Sequence, residues 1–96
     1  MYIQWNEKKR CINLREHGID FVDLLDFFDG ELMTQEDERY EYSELRFQSI
    51  GMLRALVLFV AWTPADADDV VVHRISARRA TQYETETWFQ QYSTHH

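Results

Sequence analysis

Two stretches of the chain place charged and polar residues at alternate positions. Glu44, Arg46 and Gln48 follow one another two residues apart, and so do Arg74, Ser76 and Arg78. In a strand, residues two apart share a face. If the like faces of two such strands coincide, the sheet presents a glutamate, a serine and two or more arginines together, and Arg54 can reach the same edge. An arginine fork donates two parallel hydrogen bonds to a phosphate and stays charged. A carboxylate beside arginines can take the proton of a 2′-hydroxyl while the arginines hold the charge of a pentavalent phosphate. Glu44, Arg46, Arg54 and Arg78 are therefore candidate catalytic residues for cutting RNA with side chains alone. The same pattern has a plainer reading, since cross-strand Glu–Arg pairs are common on solvated sheet faces and each contributes roughly a few tenths of a kcal/mol.

The elements that must position these residues can be read in order. Tyr2–Trp5 alternates as a short first strand. Asn6 is a suitable N-cap for a helix over Glu7–His17, with Cys11, Ile12 and Leu14 as a narrow buried stripe and Gly18 as its C-cap. Asp20 caps a second helix, in which Phe21, Leu24, Leu25 and Phe28 share one buried face. Glu31–Thr34 can form a short edge strand. Three strands follow: Ser43–Ile50, then a tight turn at Gly51-Met52, then Leu53–Trp62, apolar on both faces and hence central, and finally Val70–Arg78. Thr63–Asp69 reads as a hairpin loop. Thr81 or Ser76 can cap a last helix over Thr81–Tyr92. The expected fold is a single α+β domain over residues 1–96, in β-α-α-β-β-β-α order, with an antiparallel sheet packed on two N-terminal helices. The Glu–Arg face would then be an open groove.

Composition bounds the function further. The chain has 96 residues, 45% hydrophobic and 15% aromatic, a globular balance. Cys11 is the only cysteine, which excludes an internal disulfide. The opening residues lack a basic region followed by an apolar run, and the longest apolar stretch, Ala55–Trp62, is too short to span a bilayer. A cytoplasmic protein with no membrane partner is expected. No Cys/His cluster has metal-ligand spacing and no glycine-rich loop forms a phosphate cradle, so neither metal nor cofactor is expected. Glu36, Asp37, Glu38, Glu41 and Glu44 could bind a divalent ion or simply be solvated charge. His17 is either a general acid or base, or a helix-terminal residue favouring the dipole. His73, out of phase with Arg74, reads as a packed or surface residue. His95 and His96 are assigned no role.

The net charge of −7 is unevenly spread: residues 1–15 carry +3, residues 16–44 carry −10, and residues 46–79 carry +2. Either a basic face survives on an acidic body, or the acidic block is itself a docking surface.

Three segments, taken in order, resemble the BrnT family of toxins, which are similar in fold to the RelE-type ribonucleases. The first is Trp5, Asn6, Lys9, Asn13, His17-Gly18 and Phe21, with Asn6 where the family has an aspartate. The second is Asp37-Glu38-Arg39-Tyr40 followed by Glu44-Leu45-Arg46-Phe47 and Ile50-Gly51. The third is Arg74-Ile75-Ser76-Ala77-Arg78-Arg79-Ala80, with one isoleucine fewer before Ser76 than the family pattern; that gap changes the strand parity of Arg74 relative to Arg78. The resemblance implies an RNA-cleaving toxin held in a hetero-oligomer by a BrnA-like, DNA-binding antitoxin. It implies Glu44, Arg46, Arg54 and Arg78 as active-site residues, with Lys9, His17 and Arg74 as substrate-binding ones. The alternative is a catalytically weak or inactive module that keeps the fold and acts through its antitoxin or another protein.

Overall fold

The computed structural model describes residues 3–38, 45–64 and 72–93. The expected first strand is a single bridge at Ile3. Asn6, in extended backbone, then starts α1 (Glu7–His17): its side chain accepts the N–H groups of Lys8 and Lys9 at 2.9 and 3.2 Å. Gly18 ends the helix in the left-handed region, φ 73°, donating its N–H to Leu14 O. The expected stripe is not what α1 buries. Cys11 and Leu14 are exposed and Ile12 is half-buried; the buried residue is Asn13. Asn13 donates to Ile19 O at 2.9 Å and accepts the N–H of Ala77 at 3.1 Å. A polar helix seats on the sheet through one amide because what it meets there is an unpaired strand edge rather than an apolar face.

Asp20 caps the next segment by accepting the Val22 N–H. The segment opens as a 3₁₀ turn, Phe21–Asp23, before α2 (Leu24–Asp29). Three residues per turn at the start shift the phase. Phe21, Leu24, Phe27 and Phe28 are buried, and Leu25, expected inside, is exposed.

Four antiparallel strands follow in spatial order β1-β2-β3-β4: β1 (Leu32–Glu36), β2 (Phe47–Leu53), β3 (Leu56–Pro64) and β4 (Val72–Arg79). The tight turn lies at Arg54-Ala55, not at Gly51-Met52, and Arg54 takes φ 55° there. Gly51 is instead inside β2, where the Phe27 ring of α2 lies against the sheet. A Cβ at Gly51 would meet a Leu32 methyl at 2.5 Å and the Phe27 ring at 3.1 Å. Leu58 and Val60 of β3 and Ile75 and Ala77 of β4 close the core against Phe21, Leu24 and Phe27. Ser49, fully buried, is satisfied by Thr34 Oγ1 and by the Trp62 indole N–H, both at 2.8 Å. Residues 43–44 and 65–71, included in the expected strands and loop, lie outside the described residues.

The expected open groove is not open. α3 (Gln82–Ser93) lies across the face opposite to α1 and α2. Thr81, not Ser76, starts it through a reciprocal capping box: Thr81 Oγ1 accepts the Glu84 N–H at 3.1 Å, and Glu84 Oε1 accepts the Thr81 N–H at 2.8 Å. The same carboxylate accepts both Nη atoms of Arg78, at 2.9 and 3.0 Å, while that guanidinium stacks on Phe59, 4.1 Å from the ring centre. At the far end of α3 the Tyr92 hydroxyl donates to Leu32 O at 2.7 Å.

Two measurements check this account. Replacing Asn13 by Leu strands the Ala77 N–H and the Ile19 C=O in the interior, and should cost about 2–3 kcal/mol in urea unfolding. A cost below 1 kcal/mol would show that the amide is dispensable. The second concerns pH. The Arg78 guanidinium, with the Thr81 N–H, holds the Glu84 carboxyl below its ordinary value of 4.5. Arg10, with the Val22 N–H, does the same to Asp20, whose ordinary value is 3.8. A depressed carboxylate stabilises the fold fully above its unfolded pKa and loses that contribution as pH falls through the folded value. Glu84→Gln should therefore lower the melting temperature at neutral pH, and the gap to the native chain should narrow below about pH 4. A gap that stays constant down to acid would refute the role given to the pair.

Candidate active site

The start of α1 and the middle of β4 meet. On the helix side, the Asn6 cap fixes Lys9 in the first turn. Trp5 is held beside it by its indole N–H, which donates to Glu7 Oε1 at 2.8 Å. Glu7 also accepts from Arg10 at 3.0 Å, and these two bonds, the Trp5 one first, draw its carboxyl below the ordinary value. On the sheet side, β4 carries a β-bulge. Ala61 pairs with Ser76 and Thr63 with His73, so Arg74 and Ile75 together face Trp62 alone. Arg74 takes φ 52°, a left-handed conformation that a non-glycine residue holds at a cost of about 1–2 kcal/mol.

Between them lies a cavity of about 350 Å³ lined by Gln4, Trp5, Asn6, Lys9, Phe21, His73, Arg74 and Ile75. Lys9 and Arg74 supply two cations, His73 an imidazole and Trp5 an indole. Among the described residues no carboxylate lines it. Two cations can hold a phosphate, an imidazole can take or give a proton, and an indole face can stack on a base. A larger cavity, about 600 Å³, opens between the sheet and α3; among the described residues its one charged lining residue is Glu84, already engaged by Arg78. Among the described residues no three His, Cys, Asp or Glu side chains cluster to hold a metal ion, and no helix is long and apolar enough to cross a membrane.

The residues singled out in the sequence are dispersed. Glu44 lies outside the described residues. Arg46 precedes β2, its carbonyl accepting the Asp37 N–H, and Arg54 occupies the turn after the same strand, 3.6 Å from Asp23. Eight residues of extended chain put these two roughly 26 Å apart. Arg78 does share a sheet face with Gln48 and Ser76, as its parity implies, but Glu84 and Phe59 hold it. His17 ends α1, exposed, roughly 12 Å along the helix from Lys9. Among the candidates that are described, only Lys9 and Arg74 line a common cavity. The bulge takes Arg74 out of the row of Ser76 and Arg78, and it brings His73, read from strand parity as facing away from Arg74, into the same cavity. Trp5 and His73 carried no role in the sequence reading. The one signal for the bulge was the residue missing before Ser76.

None of the curated proteins matches the chain. The family of the BrnT ribonuclease toxin of type II toxin–antitoxin systems matches over residues 5–84, a span that contains α1, all four strands and every residue lining the cavity except Gln4. The chain therefore belongs to the BrnT family of type II ribonuclease toxins.

Proposed function

We propose that this chain is an endoribonuclease toxin that cuts RNA with side chains alone at the Lys9–His73–Arg74 cavity, and that a DNA-binding antitoxin of the BrnA kind neutralises it in a hetero-oligomer in the cytoplasm. The observation that carries the reading is the strained Arg74 placed with Lys9 and His73 along one cavity. Strain of this kind persists where a side chain is needed in a particular place. Lys9 and Arg74 bind the scissile phosphate and stabilise the charge that grows on it in the pentavalent state. His73 takes the proton of the neighbouring 2′-hydroxyl as its oxygen attacks phosphorus. The 5′-oxygen leaves with a proton from solvent, giving a 2′,3′-cyclic phosphate and a free 5′-hydroxyl. Trp5 stacks on a flanking base. Glu44, with Arg46, Arg54 and Arg78, is the competing catalytic set, and His17 the competing histidine.

A second reading, a toxin-fold module with little activity that works through its antitoxin, is favoured by the net charge of −7 and by the occupation of Arg78 by Glu84.

Cleavage of a labelled single-stranded RNA by purified variants separates these. Lys9→Ala and His73→Ala should each lower the rate by about 100-fold or more in proteins that keep their native melting temperature. Arg74→Gly is the sharper test. Glycine accepts φ 52° without strain, so stability should stay within about 1 kcal/mol of native while cleavage is lost. If Glu44→Ala and Arg78→Ala abolish cleavage and the cavity variants do not, the site lies on the sheet. If the native chain cuts no RNA at micromolar concentration, the second reading stands.

A further inference from the structure

The sheet has two edges, and they are treated differently. In β4, the pairing of Ala80 with Val57 sets the alternation, so the Ala77 N–H points away from β3, and Asn13 accepts it. One outward group of that edge is thereby paired inside the molecule. In β1, the Asp37 N–H bonds to Arg46 O, so Asp37, Gln35 and Met33 exchange bonds with β2 while Leu32, Thr34 and Glu36 turn their backbone groups outward. The outward carbonyl of Leu32 is taken by Tyr92. Those of Thr34 and Glu36, and their N–H groups, meet no partner among the described residues.

This edge is also strongly acidic. Residues 20–38 hold eight carboxylates and no lysine or arginine. Asp20 and Asp23 are answered by Arg10 and Arg54, but Glu31, Glu36 and Glu38 are exposed and make no ion pair among the described residues. A second copy of the chain would bring acid against acid here. An extended basic segment would find both open backbone groups and opposite charge.

We propose that the outer edge of β1 is the docking site of the antitoxin, which adds a lysine- or arginine-rich extended segment as a fifth strand, bonded to Thr34 and Glu36 and facing Glu31, Glu36 and Glu38. The groove of about 600 Å³ between β1 and α3 receives the side chains on that face of the added strand. The proposal rests on the type II character of the family, not on the cleavage site across the sheet.

The test uses the full chain and the antitoxin co-expressed from the same module. Glu36→Pro deletes an N–H that points away from β2, so no bond inside the sheet is lost and the free protein should melt normally. Affinity should fall by about tenfold or more, whereas Glu36→Gln, which keeps the N–H, should lose less than about fivefold. Amide hydrogen exchange at Thr34 and Glu36 should slow in the complex, a readout that holds even if the proline variant folds poorly. Unchanged affinity of Glu36→Pro in a folded protein, or no protection of those amides, overturns the proposal. Protection that arises in the chain alone as its concentration rises assigns the edge to a second copy and overturns the commitment to the antitoxin. Because affinity and exchange are read without RNA, a failure of the cleavage mechanism leaves this result intact.

Discussion

Much of this molecule depends on the side-chain amide of Asn13. It is buried within the helix–sheet interface and spends its donor on Ile19 O and its acceptor on the Ala77 N–H, sixty-four residues away. An aspartate would lack the donor and a leucine both groups. Three consequences follow from the one contact. It pairs the outward Ala77 N–H of the β4 edge. It fixes the loop after the left-handed Gly18, so that Asp20 can cap the next turn and bond Arg10. And it sets the rotation and height of α1, which puts Lys9, one helical turn earlier, against the β4 bulge. A helix so poor in buried apolar residues has little else to orient it.

An acidic chain can nevertheless present a basic cavity, because charge acts locally in salt. Among the described residues the carboxylates concentrate along α2 and β1, at one side of the sheet, while Lys9, His73 and Arg74 lie at the other. Three interstrand spacings separate β1 from β4, roughly 14 Å. The screening length at physiological ionic strength is about 8 Å, so the acidic edge weighs little on a phosphate bound at the cavity.

What was legible in the sequence was local. Asn6, Gly18, Asp20 and Thr81 sit where their capping chemistry puts them. The alternation in β2 and β4 correctly set Gln48, Ser76 and Arg78 on a common face. What was not legible depended on contacts between distant segments. Gly51 reads as a turn until Phe27 is seen to press on it. The helical phase of Phe21 to Phe28 cannot reveal that its first turn is 3₁₀. Asn13 is polar, so no hydrophobic pattern marks it as buried, though its place in the family motif does flag it. Arg74 fails for the clearest reason. Strand parity carries information only while the strand is regular, and the bulge lies between Arg74 and Ser76.

That bulge sits on the better-supported side of the molecule. Holding Arg74 at φ 52° costs free energy that a chain of this size can meet only if its flanks are fixed. They are: Ala61 pairs with Ser76 on one side, Thr63 with His73 on the other, and Ala77, three residues on, is bonded to Asn13. A flexible edge could relax the residue to ordinary strand geometry and return its guanidinium to the row of Ser76 and Arg78. These flanking contacts can hold the strained conformation, whereas β1 has no residue at positive φ and, among the described residues, leaves the outward groups of Thr34 and Glu36 without a partner. Rigidity and availability are thus divided between the two ends of one sheet, and each end has the property that its proposed task, phosphate chemistry or the addition of a partner's strand, requires.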